Sequence, residues 1–481
     1  IIYNPIYFVI MGDFPMDESL AVRSFQTRWL ADGIGEDYKS WTPHGEVARR
    51  RPTRVFIESP SGSGKTAFVF DVLLPYAMSR GRSILYIGSR ASLITQAERA
   101  ARCGLQQRPQ QADGALTFPY PASSACITLL GYQDILSVRE GFSSYAYIIF
   151  DDAHFFVEDA LFNARTGIAL QTVLTGANDA VWVFLSSSLE SVEAVLRQRA
   201  DEILPSNYAD NELSRRLLQQ HCLTYRNTIR QGTCHPAFFR SSDDLLRAVA
   251  QTPREEKWLI FVSSVQQGKS LQRRIPAKAG RSAAFLSADS KNGRRWDTLV
   301  HEQRFTQDVL ITTRVLDSGG IIADPAVTHV ALPFCSKVEF LQMLGRRRLD
   351  TADSIRLYIE VPTIQKVNTL LALTRRKAAA IARVKRCPPQ EKTALLQQMW
   401  DEGRQEINCL FYISRTGELT ANDLAEEKLR QLETFYVALA AHYREGGCYE
   451  RQVLSWLGME NKQPRYLGEV APGGINGFLS H

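Results

Sequence analysis

A loop rich in glycine and serine follows a short apolar run near residue 60. The two stretches read Thr53-Arg54-Val55-Phe56-Ile57-Glu58 and Ser59-Pro60-Ser61-Gly62-Ser63-Gly64-Lys65-Thr66. The apolar run predicts a buried strand, and the residues from Thr66 towards Arg80 predict a helix. Small residues between a strand and a helix allow backbone N–H groups to surround a polyphosphate, and the helix N-terminus adds a positive dipole end. The stretch therefore predicts a phosphate-binding loop.

The residues of this loop have separate expected roles. The ammonium group of Lys65 is expected to reach the outer phosphates, and the hydroxyl of Thr66 is expected to bind Mg²⁺. Ser59 stands where the strict pattern G-x-x-x-x-G-K-[ST] has its first glycine. The phosphate-binding residues predicted here are Ser61, Gly62, Ser63, Gly64, Lys65 and Thr66.

A second apolar run, at residues 146–150, ends in Asp151-Asp152-Ala153-His154. A buried strand that delivers two carboxylates at its carboxyl end suits a nucleotide site. Asp151 is expected to hold Mg²⁺ together with Thr66, and Asp152 or a neighbour is expected to orient an attacking water. Asp-Asp pairs also cap helices. This alternative is less favoured here because the phosphate loop is present.

The spacing of apolar runs indicates the fold class. Strand-like runs alternate with helix-length segments, as in parallel βαβ architecture, and the series occurs twice. The expected strands are 54–58, 83–87, 126–130, 147–151 and 181–186, then 258–262, 283–286, 309–313, 329–332 and 355–360. We therefore predict an α/β protein with two tandem parallel-sheet domains and a helical C-terminal extension.

The expected domain boundaries follow from this series. We predict a possible upstream extension at 1–10, a first domain at 11–195 and a bracing segment at 196–252 that includes a hairpin near 224–239. A second domain is expected at 253–362, and a helical accessory domain at 363–481, where it offers a surface for a protein partner. The length of 481 residues fits roughly three domains at about 150 residues each.

With these motifs in order, the sequence resembles the DEAD/DEAH-box family of superfamily-two helicases and translocases over residues 50–350. Residues 59–66 match motif I, and residues 151–154 match motif II. Further matches are Ser186-Ser187-Ser188 to motif III, residues 259–264 to motif IV, residues 312–319 to motif V and Gln342-Met343-Leu344-Gly345-Arg346-Arg347-Arg348 to motif VI. The resemblance implies two RecA-like domains that close over ATP.

The resemblance also implies roles for individual residues. Arg346 and Arg348 are candidates for arginine fingers that neutralise charge on the transferring phosphoryl group. With them, the expected catalytic residues are Lys65, Asp151 and Asp152, while Gln342 and Gly319 are expected to contact the nucleotide. Ser89, Arg90, Gln133 and Thr313 are the expected nucleic-acid contacts. Each of these four can equally cap a helix or line a loop.

The sequence departs from the family pattern at three positions. Asp152 replaces the usual glutamate of motif II and is one methylene shorter, which predicts slow turnover. Leu349 stands where motif VI has its last arginine, so the identity of the second finger stays open. Gly320-Ile321-Ile322 follow motif V where an acidic or amide residue is usual, which puts the coupling of hydrolysis to movement in doubt. Tyr38 or Trp41 is a candidate for stacking on adenine.

Composition limits the cellular setting and the partners. The net charge of +6 is concentrated in residues 363–387, which hold seven basic residues and no acid, so the remainder sums to −1. This segment predicts either a solvated helix face, the favoured interpretation, or a wall of a nucleic-acid path. Eight dispersed cysteines suit reduced thiols in the cytoplasm, and no run has the length of a membrane span.

The predicted function is an ATP-dependent nucleic-acid helicase or translocase, with ATP and Mg²⁺ as cofactors and DNA favoured over RNA. Two alternatives stay open. One is a clamp that binds nucleotide and nucleic acid but hardly hydrolyses ATP, and the other is the motor subunit of a restriction or phage-defence assembly. The sequence contains no nuclease signature, so in the second alternative the cutting activity belongs to another chain.

Overall fold

A computed structural model of the chain describes residues 21–41, 54–88, 110–112, 115–119, 126–137, 142–176, 180–198, 222–229, 232–287, 299, 301–314, 316, 320–403, 405–414, 417–443 and 447–468. Two large sheets organise these residues. We call the first sheet with its helices the first lobe, and the second sheet with its helices the second lobe.

The first lobe contains a nine-stranded sheet. Its strands are β1 (Ala21–Phe25), β2 (Arg54–Glu58), β3 (Ile84–Gly88), β4 (Gln110–Ala112), β5 (Ala115–Pro119), β6 (Cys126–Gly131), β7 (Tyr147–Asp151), β8 (Val181–Ser186) and β9 (Cys222–Asn227). The spatial order is β1-β9-β2-β8-β7-β3-β6-β5-β4, with β4, β5 and β6 paired antiparallel and the other neighbours parallel. Strands β7 and β8 are buried along their whole length, as expected of central strands covered on both faces.

The second lobe contains a six-stranded parallel sheet in the order β10-β15-β14-β11-β13-β12. Its strands are β10 (Thr233–Phe239), β11 (Lys257–Phe261), β12 (Ala283–Leu286), β13 (Val309–Thr312), β14 (Val327–Leu332) and β15 (Ser354–Glu360). The predicted α/β class with two tandem parallel-sheet domains is therefore confirmed.

Helices cover both sheets. In the first lobe these are α1 (Leu30–Ile34), α2 (Lys65–Ala67), which continues through a π-helical turn (Phe68–Leu73) into α3 (Leu74–Ser79), α4 (Phe155–Glu158), α5 (Thr166–Gly176) and α6 (Glu190–Gln198). In the second lobe they are α7 (Ser242–Gln251), α8 (Val265–Ala279) and α9 (Lys337–Leu344). Ser264 caps α8 by accepting a hydrogen bond from the N–H of Gln267 at 3.1 Å.

The hairpin expected near residues 224–239 is wrong. Strand β9 lies between β1 and β2 in the first sheet, whereas β10 pairs with β15 at the edge of the second sheet. The short polar stretch between them resembles a hairpin turn, but it carries the chain from one lobe to the other. The bracing segment expected at 196–252 is therefore divided between the lobes wherever the structure describes it.

The C-terminal part contains α10 (Ile364–Arg386), α11 (Lys392–Asp401), α12 (Asp423–His442) and α13 (Cys448–Trp456), with a small antiparallel hairpin of β16 (Phe411–Ile413) and β17 (Leu419–Ala421). These elements do not form a core of their own. Ala380 and Leu424 join the core of the first lobe, while Val367 and Leu439 join that of the second. The helical accessory domain predicted at 363–481 is thus packed against both lobes in its described residues.

The possible extension at residues 1–10 lies outside the described residues, as do residues 469–481. Within the described ranges, no helix combines the length and the apolar run that crossing a bilayer requires. The seven cysteines in those ranges form no disulfide with one another.

Candidate functional site

The predicted phosphate loop connects β2 to α2 and is fixed to the strand ends around it. The N–H of Ser59 donates to the carbonyl oxygen of Ser186 at 2.9 Å. Gly62 and Gly64 have φ of +91° and +83°, a region that favours glycine. The hydroxyls of Ser59 and Ser63 are buried and lie 2.6 Å apart. Serine in place of the first glycine is thus accommodated by a hydrogen bond that closes the loop on itself.

Lys65 lies at the centre of the site. Its ammonium group donates to the carbonyl oxygens of Ser59 at 2.7 Å and Pro60 at 3.0 Å, which uses two of its three hydrogens. Burial lowers the pKa of Lys65, the acids Asp152 and Asp151 raise it, and the arginines Arg348 and Arg346 lower it further. The fold therefore places the other four predicted catalytic residues close enough to Lys65 for their charges to act on its pKa. Thr66 follows in the first turn of α2.

Asp151 ends β7 and is buried, with 7% of its surface exposed. The hydroxyl of Tyr86 donates to its carboxylate, and the hydroxyl of Tyr132 donates to its backbone oxygen at 2.8 Å. Burial and the neighbouring carboxylate of Asp152 raise the pKa of Asp151 to about 6. A buried carboxylate beside a second one has an unfavourable charge, which a cation relieves.

Asp152 has a backbone φ of +56°, in the left-handed region. Aspartate and asparagine adopt this conformation more readily than glutamate, because their short polar side chains bond locally to the backbone. The turn after β7 thus supplies a physical reason for aspartate where the family pattern has glutamate.

His154 links the acidic turn to β8 and was not among the predicted site residues. Its Nδ1 lies 2.8 Å from the hydroxyl of Ser186, the first residue of the predicted motif III. Burial lowers the pKa of His154 to about 4; Asp152 opposes this shift, and Arg346 is the largest of the positive charges that add to it. In the sequence, the signal for His154 is its position two residues after a pair of acids at the end of a predicted strand.

The side chains of the three arginines of motif VI point to alternate sides of the backbone. Arg347 forms a β-bridge with Ile322, whose N–H and oxygen bond to Arg346 and Arg348 at 2.8 Å each. In an extended backbone, alternate side chains point to opposite sides. Arg347 is accordingly buried in the second lobe, where its Nε donates to the oxygen of Val327 at 2.9 Å. Arg346 and Arg348 share the other side.

The second lobe lies directly against the phosphate loop. A Cβ built at Gly62 would lie 2.9 Å from Cδ of Arg348, and one built at Gly345 would lie 2.6 Å from Cβ of Ser61. Leu349 is buried in the core of the second lobe, whereas Arg348 lies against the phosphate loop. Gln342 is buried, and its Nε2 has no hydrogen-bond partner among the described atoms.

A short segment before the loop adds contacts that the sequence did not predict. Arg28 forms an ion pair with Asp350 of the second lobe, and its guanidinium lies 5.1 Å from the ring of Trp29. Trp29 is half exposed, and a Cβ built at Gly64 would lie 3.2 Å from its ring. An exposed tryptophan beside a phosphate loop is a better stacking candidate than those expected.

Of those expected candidates, Trp41 is fully buried in the first lobe and packs on Phe68 and Tyr225. Tyr38 packs edge-on against Phe68 and Tyr76. Both rings therefore already have partners within the core. Stacking of Trp41 on adenine is wrong, because no part of its side chain is exposed.

The predicted nucleic-acid contacts are placed only in part. Ser89, Arg90 and the nucleotide contact Gly319 lie outside the described residues. Gln133 is exposed just after β6 in the first lobe. Thr313 follows β13 in the second lobe, and its N–H donates to the oxygen of Leu286 at 3.4 Å.

The donors near the loop fit Mg²⁺. Magnesium in nucleotide sites is held by one or two protein oxygens together with phosphate oxygens, rather than by a full set of protein ligands. The hydroxyl of Thr66 and the buried carboxylate of Asp151, whose charge is relieved by a cation, are donors of this kind. The described residues contain no cluster of three His, Cys, Asp or Glu side chains that could hold a metal.

No protein-family model and no curated protein matches the sequence. Solved structures match it in fold. S. cerevisiae Dbp5 bound to RNA and ADP BeF3 is 17% identical with a TM-score of 0.45, over 67% of this chain and 82% of that one. The M. smegmatis helicase Lhr bound to ssDNA and AMP-PNP is 15% identical with a TM-score of 0.43, over 86% and 60%.

A DEAD box protein from Methanococcus jannaschii is 14% identical with a TM-score of 0.36, over 70% of this chain and 97% of that one. These solved structures are what the chain is similar to in overall fold. At these scores and identities the likeness carries nothing about chemistry.

Proposed function

We propose that the protein is an ATP-dependent nucleic-acid motor, a helicase or translocase, that hydrolyses ATP between its two lobes. The observation that carries this proposal is the contact of Arg348 and Gly345 with the phosphate loop. A loop of this kind binds phosphate without help from a second lobe. Arginines brought to it from another lobe are suited to a charge that develops during phosphoryl transfer.

Each residue then has a role in hydrolysis. The loop N–H groups and Lys65 bind the β- and γ-phosphates, and Asp152 orients the attacking water. The water oxygen bonds to the γ-phosphorus while the bond from that phosphorus to the bridging oxygen breaks, which gives ADP and phosphate. Arg346 and Arg348 neutralise the charge on the transferring group. Mg²⁺, held by Thr66 and Asp151, supplies further positive charge at the phosphate oxygens when it is bound.

Nucleic acid is the proposed partner, with DNA ahead of RNA. Gln133 and Thr313 belong to different lobes and follow the carboxyl ends of β6 and β13. A strand that contacts both lobes through its phosphates is held without regard to sequence, as movement along a strand requires. Changes in the closure of the lobes over ATP would then move one contact relative to the other.

The test is the steady-state ATPase rate of the purified protein with a panel of single- and double-stranded DNA and RNA. We expect at least one nucleic acid to raise the turnover number about tenfold or more. No rise with any member of the panel would contradict a motor. A Lys65→Ala variant serves as the control for contaminating ATPases, because it removes the cation at the phosphates.

The backbone of Asp152 favours one alternative function, a clamp that binds ATP and nucleic acid but hydrolyses slowly. A turn that positions a short carboxylate at a φ of +56° can leave the attacking water too far from it, and a misplacement of about 1 Å costs on the order of 100-fold. Nucleic-acid binding that requires ATP but occurs with negligible turnover would support the clamp over the motor.

A further inference from the structure

Two long C-terminal helices, α10 and α12, connect the lobes. Helix α10 begins at the core of the second lobe with Val367 and reaches the core of the first with Ile381 and Val384. Helix α12 runs the opposite way, from Leu424 in the first lobe to Leu439 in the second. We call this pair the strap, and its length over residues 367–384 is about 26 Å at 1.5 Å per residue.

Ion pairs hold the two helices of the strap together. Arg375 pairs with Glu433 at 2.7 Å, and Lys385 pairs with Asp423 at 3.0 Å. Part of the positive charge of residues 363–387 is therefore paired with acidic side chains of α12. This arrangement supports the favoured interpretation of a solvated, ion-paired helix face over a wall of a nucleic-acid path.

Lys428 of the strap differs from these exposed pairs because it is buried. Its Nζ lies 2.6 Å from Oε2 of Glu158, and the exposed fractions of the two side chains are 8% and 2%. Glu158 ends α4, one turn after His154 and the two acids. Lys428 is thus paired with the short helix that follows the acidic turn of the nucleotide site.

Asn422, at the start of α12, fixes the same region. Its amide group donates to the oxygens of Ala160 at 3.2 Å and Asn163 at 3.1 Å, and to the hydroxyl of Thr166 at 2.9 Å. The side chain is fully buried and also caps α12 by accepting from the N–H of Leu424. The first turn of α12 is therefore attached to the first lobe.

The far end of α12 packs on the second lobe, where the ring of Phe435 stacks on that of Phe334, just before α9, at 6.0 Å between centroids. Glu339 lies in the first turn of α9, the helix that precedes Arg346 and Arg348, and its carboxylate pairs with Arg314 at 2.7 Å. Burial would raise the pKa of Glu339, but Arg314 and then Lys428 hold it below its ordinary value. Helix α12 is thus tied to the first lobe through Lys428 and Glu158, and to the segment before α9 of the second lobe through Phe435.

Stability alone does not account for such a pair. Desolvating two charges costs several kcal/mol, and apolar residues of similar volume often replace a buried ion pair without loss of stability. We propose, on the basis of the function proposed above, that Lys428 is a positioning residue that holds the acidic turn of the first lobe in register with the arginine-bearing helix of the second.

The consequence is a bias towards closed lobes. Without the pair of Lys428 and Glu158, α12 keeps its packing on the second lobe and loses this contact with the helix after the acidic turn. Residues of the second lobe then move away from the phosphates bound by the first. Because a displacement of about 1 Å can cost on the order of 100-fold in rate, loss of Lys428 should lower turnover more than nucleotide binding.

Three variants test this proposal. Lys428→Met with Glu158→Leu removes both charges and keeps the volume, so that no buried charge is left unpaired. Lys428→Gln keeps a hydrogen-bond donor for Glu158 without the charge, and it serves if the double variant does not fold. Lys385→Met is the matched control, since it removes a strap ion pair whose side chain is 41% exposed.

The measurements are ATPase kcat and KM, affinity for a fluorescent ATP analogue, thermal unfolding and the radius of gyration from X-ray scattering. We expect the double variant to unfold near the wild-type temperature, and Lys428→Gln to unfold at a lower temperature because Glu158 keeps a buried charge. Both should bind the analogue within about twofold of wild type. Their kcat should fall about tenfold or more, and their radius of gyration should rise. Lys385→Met should resemble wild type in all four.

A folded Lys428 variant with wild-type kcat and radius of gyration would overturn the proposal. An equal fall in Lys385→Met would also overturn it, because the strap would then act by general stability. If the wild-type protein hydrolyses no ATP, the proposed function fails instead. The scattering comparison then still decides whether Lys428 holds the lobes together.

Discussion

Arg348 packs against the backbone of Gly62, so that a Cβ built on this glycine would lie 2.9 Å from Cδ and 3.3 Å from Cζ of the arginine. The two residues are 286 positions apart in the sequence and belong to different lobes. Gly62 also needs its positive φ of +91° for the loop to turn. The same glycine therefore serves the phosphate loop and the approach of the second lobe.

Comparison of Gly62→Ala with Gly81→Ala should distinguish loss of the contact with Arg348 from backbone strain alone. Alanine at this φ costs about 1–2 kcal/mol, and its methyl group also displaces Arg348. We expect kcat/KM for ATP to fall about tenfold or more. Gly81→Ala is the control, because Gly81 has a φ of +64° and nothing within 4 Å of its built Cβ. An equal loss of activity in both variants would show that the contact with Arg348 is irrelevant.

Substitutions at Asp152 should distinguish charge from conformation. Asp152→Asn keeps a residue that tolerates the φ of +56°, so we expect unchanged thermal stability with turnover reduced about 100-fold. Asp152→Glu should lower stability by about 1 kcal/mol and should not raise turnover. A large gain in turnover with glutamate would favour the slow clamp and would refute the view that the turn is adapted to aspartate.

The three consecutive arginines should divide into two kinds. Arg346→Ala and Arg348→Ala should each lower kcat about 100-fold or more with little change in unfolding temperature, as expected of arginine fingers. Arg347→Ala should lower the free energy of unfolding by about 2–3 kcal/mol, because it removes buried bonds to Val327 and Asp353. Denaturant unfolding and ATPase assays on all three variants check this division, which a uniform effect would contradict.

The pH dependence of kcat/KM should report Asp151. Burial beside Asp152 raises the pKa of Asp151 to about 6, so this carboxyl becomes neutral and loses affinity for cations as the pH falls through 6. His154 has its pKa lowered to about 4 and stays neutral over this range. We expect an acid limb with a midpoint near 6 that His154→Gln leaves in place. A limb that disappears in this variant would assign the titration to the histidine.

The local parts of the fold were predictable because they are encoded in short stretches. The run 54–58 and the loop to Thr66 carry both strand periodicity and phosphate-loop chemistry, and β2 and α2 form where expected. Strands β7 and β8 were equally clear, since central parallel strands are apolar throughout. The order of the motifs was enough to place Arg346 and Arg348 opposite Lys65.

Relations between distant residues were not predictable. The place of β9 between β1 and β2 depends on a crossover that leaves no local pattern, so a polar turn was mistaken for a hairpin. In the sequence, Trp41 is an aromatic residue near the loop. Its burial depends on packing against the distant Tyr225, which no local pattern indicates. The pairing of Lys428 with Glu158 joins positions 270 apart, and nothing near either residue indicates it.

The most direct test of the account is whether the second lobe senses the terminal phosphate. Equilibrium affinities of wild type and of an Arg346→Ala/Arg348→Ala variant are compared for ATPγS and for ADP, with Lys65→Ala as a control that weakens both. We predict that wild type prefers ATPγS by about tenfold or more and that the double variant loses this preference while it still binds ADP. A double variant that keeps the full preference would contradict a triphosphate held between two lobes.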